Sequence, residues 1–99
     1  HTATAMTDNG ELQQRKHESN EVHLERLKGI LRERRAQAQA ELELKRHLED
    51  SIRVMTASGA SAAARNELHR ELGRVCLRLG TARGQVDIAE SYLVLALNR

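Results

Sequence analysis

Leu68, Leu72, Val75, Leu79, Ala82, Val86, Ala89, Leu93 and Ala96 follow one another in alternating steps of four and three. Steps that average about 3.5 residues keep every side chain on one stripe of an α-helix, and a stripe sustained this long is the seam of a coiled coil. Drawn as helix, residues 62–97 extend ~54 Å at 1.5 Å per residue. A stripe of that length needs a second helix beside it for most of its course.

The first half of the chain supplies a candidate. From Val22 onward, Leu24, Leu27, Leu31, Ala38, Leu42, Leu48, Ile52 and Met55 recur at helical spacing. Between the two runs lies Thr56-Ala57-Ser58-Gly59-Ala60-Ser61, and the chain contains no proline. A small-residue break between two strongly periodic runs predicts a fold-back with Gly59 near its tip. Turning there sets Leu93 opposite Leu24, Val86 opposite Leu31 and Leu79 opposite Ala38. The expected fold is all-α: an antiparallel helical hairpin, a coiled-coil finger with arms at about 20–56 and 62–97 and a turn at 57–61. The competing arrangement is an open helix paired with another chain. The first seam is thin in its middle, where Arg34 and Arg35 fall where the next leucine is due and Ala36, Ala38 and Ala40 follow. Gly29 marks either a close contact or a slight bend.

Residues 1–7 read as a vector-derived scar or a disordered leader, and residues 8–99 as a single domain excised from a longer protein. Asp8-Asn9-Gly10-Glu11 has the form of a helix start, with a capping residue three before a glutamate. Residues 11–17 are polar apart from Leu12, and Glu18-Ser19-Asn20 offers a second cap. A short separate N-terminal helix that breaks near Ser19 is the preferred reading; one helix running through is the alternative. At the other end, Ile88, Tyr92, Val94, Leu95 and Leu97 widen the apolar face beyond what one seam needs, so something must cover it. The covering is the 9–20 segment folded back on the open end, a second copy docking through Ile88, Tyr92 and Leu95, or a binding partner.

Composition excludes several functions. With 16 basic and 14 acidic residues the net charge is only +2, short of the concentrated positive charge of a nucleic-acid binder. Tyr92 is the only aromatic residue, so base-stacking platforms are absent as well. A single cysteine, Cys76, cannot close a disulfide within the chain and points to a reducing, cytoplasmic setting. No run is long and apolar enough for a transmembrane segment. His17, His23, His47 and His69 are scattered, and Cys76 stands seven residues from His69; no four ligands converge on a metal. No phosphate-cradling glycine loop or nucleophile–base spacing occurs, so neither an enzyme nor a cofactor is expected.

Arginine is the notable surface feature. Arg70, Arg74 and Arg78 recur every four residues beside the second seam, and Lys45, Arg46 and Arg53 lie at similar height on the first arm. One reading is a solvated face in which Glu67 and Glu71 pair with neighbouring arginines; a second is a docking surface for an acidic protein patch; a third, a basic ridge for anionic lipid or RNA, lacks interleaved aromatics. The stretch Glu41-Leu42-Glu43-Leu44-Lys45-Arg46-His47-Leu48-Glu49-Asp50 resembles the first arm of the Rho-effector homology repeat of protein kinase N, rhophilin and rhotekin. That family shows Glu-Leu-x-Leu-Lys-x-Gly-Ala-Glu-Asn, matched here by Glu41, Leu42, Leu44, Lys45 and Glu49. His47 and Leu48 stand in place of the glycine and alanine, and Asp50 in place of the asparagine. The resemblance implies a non-catalytic module that binds a Rho-family small GTPase in its GTP-bound state as part of a larger effector. Its contact candidates are Lys45, Arg46, Glu49, Arg53, Arg70, Arg74 and Arg78. A structural oligomerisation or scaffold coiled coil is the alternative function.

Overall fold

The computed structural model of the protein describes residues 9–99. The scar assigned to residues 1–7 and the cap assigned to Asp8 lie outside the described residues. A single 3-10 turn, Asn9–Leu12, is followed by a non-helical stretch, then by helix α1, Asn20–Ala57, and helix α2, Ala62–Leu97. The two helices pack antiparallel into a finger whose longest dimension is 61 Å. This is the predicted all-α hairpin, and its second partner lies within the same chain.

Local chemistry explains each boundary. The serine before α1, Ser19, is extended and its side chain accepts a hydrogen bond from the Val22 amide at 3.2 Å; Ser61 does the same for Ala64 at the start of α2. Each hydroxyl satisfies one amide that the first helical turn leaves without a partner. The N-terminal piece is therefore separate, as preferred from sequence. It is one 3-10 turn, however, not a helix, because a lone Leu12 among polar residues gives no apolar stripe to hold further turns.

The end of α1 is closed by a Schellman motif. The Ala60 amide bonds back to the Met55 carbonyl at 2.9 Å and the Gly59 amide to that of Thr56 at 3.2 Å. Gly59 has φ 78°, the left-handed conformation that this closure requires. Nothing lies near a Cβ placed there, so only backbone preference penalises a side chain. Gly59→Ala is expected to cost about 1–2 kcal/mol, lowering Tm by about 4–8 °C per kcal/mol in a chain of this size. A thermal melt monitored by circular dichroism checks this.

On α2 all nine positions of the predicted seam are buried or half-buried; Val75, Leu79, Ala82 and Ala89 are the most enclosed. On α1 the seam takes a different course from the one read in the sequence. Alternating steps from Leu24, Leu27 and Leu31 lead through Arg34, Ala38, Glu41 and Lys45 to Leu48, Ile52 and Met55, and none of these is exposed. Leu42, assigned to the seam, sits at its edge in a groove with Arg35, Ala38, Leu79 and Val86. Glu41 occupies the seam, its side chain 15% exposed and held by Arg78 at 3.2 Å. The Arg34 guanidinium donates to the Gln85 carbonyl at 2.9 Å. These bonds set 34 against 85 and 41 against 78, two residues along from the pairing read from the sequence. Leu31 and Val86 nevertheless share one cluster, and Ala38 and Leu79 one groove.

The core is concentrated at the open end of the finger. Leu12, Leu27, Leu31 and Ala89 are buried together, with Ile30, Val86, Ile88, Tyr92, Leu93 and Ala96 packed around them. Of the coverings considered for the widened face, the structure has the N-terminal segment: Leu12 is fully buried against it. Ile88 and Tyr92 belong to this packing. Leu95, with Val94 and Leu97, stays exposed.

Candidate functional site

The arginine ridge lies along one flank of the hairpin, and every member has an acidic neighbour. Arg70 pairs with Glu67 at 2.5 Å, Arg74 with Glu71 at 2.8 Å and Arg78 with Glu41 on the opposing helix at 3.2 Å. The Arg70 hydrogen bond holds the Glu67 carboxyl below its ordinary value, and the Glu71 bond raises the Arg74 guanidinium. The ridge is thus locally close to neutral. Surface pairs of this kind hold little free energy and exchange partners readily, so the guanidinium planes remain accessible to a partner's carboxylates. Beside them, Leu77 is 75% exposed. It opens onto a groove of about 510 Å³ that also contains Ile30, Arg34, Glu41, Arg78 and Gln85.

The residues proposed from α1 do not join this flank. Lys45 is in the seam and pairs with Glu49 at 3.8 Å. Glu49 is seven residues beyond Leu42, and Arg46 and Arg53 are seven and fourteen beyond Gln39; Leu42 and Gln39 both line the opposite groove. Positions seven apart share a stripe in a coiled coil. Arg46, Glu49 and Arg53 therefore belong to the flank facing away from Arg70, Arg74 and Arg78. Arg53 pairs with Asp50 on its own helix. Of the seven candidates, Lys45 lies in the seam and the other six divide between the two sides of the finger.

A second constellation, unforeseen from sequence, fastens the strap formed by residues 10–19. Arg26 reaches from α1 to the main-chain carbonyls of Glu11 and Gln13, and to both carboxylate oxygens of Glu18 at 2.9 Å. Its Nη2 also lies 3.1 Å from Nδ1 of the buried His23. Arg34 takes the Glu11 carboxylate at 2.8 Å, and Arg99 reaches Gln14 at 3.0 Å. The one sequence signal was Leu12, isolated among polar residues.

The Arg26 hydrogen bond, then the Arg15 amide, pull the Glu18 carboxyl from its ordinary 4.5 down to about 2. A carboxyl lowered in the folded state stabilises it above the unfolded value and loses that contribution as pH falls through the folded one. The strap is therefore expected to stay docked at neutral pH and to loosen as pH drops from about 4.5 towards about 2. Amide exchange at residues 13–18, corrected for intrinsic rates, should rise in that window, and Glu18→Gln should remove most of the rise.

No group of three or more metal-ligating side chains occurs among the described residues, and none of their helices is long and apolar enough to cross a membrane. The fold defines the chain as an all-α antiparallel helical hairpin with an N-terminal strap. Comparison with protein-family models, with curated proteins and with solved structures finds no match for this chain.

Proposed function

We propose that the chain is a non-catalytic protein-docking module, a helical finger that offers its arginine-bearing flank to a partner. The observation that carries this reading is Leu77, an exposed apolar side chain at the mouth of a groove beside Arg74 and Arg78. An apolar knob rimmed by arginines has the composition of an interface centre, where arginine is enriched and each contact is positioned by a rigid scaffold. The resemblance of residues 41–50 nominates a Rho-family GTPase in its GTP-bound state as the partner, with this hairpin as one part of a larger cytoplasmic effector.

Titration with a Rho-family GTPase loaded with a GTP analogue or with GDP tests the assignment. Binding is expected in the GTP-analogue state alone; equal binding in both states, or none, overturns it. Arg70→Gln with Arg74→Gln is expected to weaken binding by about tenfold or more at unchanged helicity, equivalent to about 1.4 kcal/mol. Arg78 is avoided because it also holds Glu41 in the seam.

A second reading rests on Val94, Leu95 and Leu97, which remain exposed at the end of α2. They suit a scaffold coiled coil in which open ends of two fingers meet. A monomeric mass in solution would remove that reading and leave the first intact.

A further inference from the structure

Among the described residues, the strap is attached to the hairpin in a way unlike any other part. It adds no helix to the bundle and inserts one side chain, Leu12, into a socket formed by both arms at Leu27, Leu31 and Ala89. Gln14 bonds to Asn20 at 2.9 Å, and Arg26, Arg34 and Arg99, which belong to the hairpin, make further polar attachments. Arg26 binds two main-chain carbonyls on either side of Leu12, Glu11 and Gln13. Such contacts read the backbone of the 3-10 turn and of the residue that closes it, and carry no demand on side-chain identity. Arg34 and Arg26 then take one carboxylate before the leucine, Glu11, and one after it, Glu18. Both guanidiniums are largely enclosed, with side-chain exposures of 13% and 17%, so each is shielded from competing water. Each also has a neighbour on the hairpin itself: Arg34 donates to the Gln85 carbonyl at 2.9 Å, and Arg26 lies 3.1 Å from Nδ1 of His23.

We propose that the open end of the finger is a peptide-docking site which the chain's own strap occupies in cis. The partner it fits in trans is a short protein segment that turns at its one leucine and sets that leucine between two carboxylates. The strap's own spacing, Glu11, Leu12 and Glu18, is the template for that partner. Binding in trans requires the strap to lift, so apparent affinity is reduced by the fraction of time the strap is docked. The site then behaves as a clasp: weak towards outside ligands while closed, and opened by anything that loosens Leu12 or Glu18. The proposal does not rest on the partner assigned to the arginine flank. The two places meet at Glu11 and Arg34, so the assay below is read on Leu12 and Arg26, which do not line the flank groove.

A fluorescent peptide with the sequence of residues 10–20 is titrated into the full chain and into the full-length Leu12→Ala variant. The variant frees the socket without altering it and is expected to bind the peptide roughly tenfold or more tighter than the native chain. Adding Arg26→Ala to that variant should abolish the gain, and a peptide with its own leucine changed to alanine should fail to bind either chain. Equal affinity for the native chain and Leu12→Ala, or binding indifferent to Arg26 or to the peptide leucine, overturns the proposal. If Leu12→Ala reduces helicity, Glu18→Gln replaces it, loosening the strap from Arg26 while leaving every socket side chain native; the same order of affinities is expected. A native chain that is dimeric, and becomes monomeric on Leu12→Ala, would assign the socket to a second copy's strap and would also overturn it.

Discussion

Replacing Leu27 by alanine is expected to destabilise the hairpin by about 2–5 kcal/mol, the range for truncating a fully enclosed leucine. Leu27 is inaccessible at the point where both arms and the strap meet, and α1 cannot shift to fill the void without breaking the bonds that fix its register. A chain of this length holds about 5–15 kcal/mol in all, so the variant should lose a large share of its stability. Urea denaturation followed by far-ultraviolet circular dichroism would show the midpoint falling with little change in slope. Leu12→Ala removes the same atoms from the same cluster, yet its effect on the hairpin is capped by the free energy with which the strap docks. Its denaturation midpoint should move less than that of Leu27→Ala, while amide exchange in residues 13–18 accelerates strongly. Equal midpoint shifts for the two variants would mean that the strap is integral to the fold and does not separate from it.

That contrast shows which features a sequence carries openly. The seam of α2 was legible in full because its pattern is apolar and unbroken, and one periodic rule places all nine residues. The turn was legible because Gly59 and Ser61 are the residues that a left-handed helix end and an N-cap require. In α1 apolar spacing points to Leu42, which is half-buried at the edge of the seam beside Leu79 and Val86, whereas the alternating register passes through Glu41 and Lys45. Arginine, glutamate and lysine can occupy seam positions by laying their aliphatic stems inward and turning their charged ends to a partner. Hydrophobic periodicity does not register such residues. The strap was harder still. Its contacts join Arg26 and Arg34 to main-chain carbonyls and to carboxylates 8 to 23 positions away, and no spacing rule connects residues through a non-helical stretch. The division of the candidate arginines between two flanks has the same origin: height along the finger follows from counting, but the flank follows from the seam, whose course through Glu41 and Lys45 is polar.

The polar middle of the α1 seam leads to the second large effect. Glu41→Leu combined with Lys45→Leu is expected to raise stability by about 2–3 kcal/mol, less than two full leucine burials at about 1.5–3 kcal/mol each. The discount follows from their partial exposure, 15% for the Glu41 side chain and 33% for that of Lys45. What is lost is small. Arg78 is 46% exposed and returns to water when Glu41 is removed, and a partly exposed pair of this kind contributes at most about 1 kcal/mol. The gain has a cost in specificity. With Leu42 and Leu44 already flanking it, an all-leucine layer would accept a partner helix from another chain as readily as α2. Polar residues in a coiled-coil seam commonly fix register and partner number at some expense in stability. The double variant should therefore melt higher than the native chain and show a larger mean mass in solution at the same concentration. A variant that melts higher with unchanged mass would leave the polar layer without a role in pairing choice. One that melts lower would mean that the Glu41–Arg78 bond holds the two helices together more strongly than an apolar layer can.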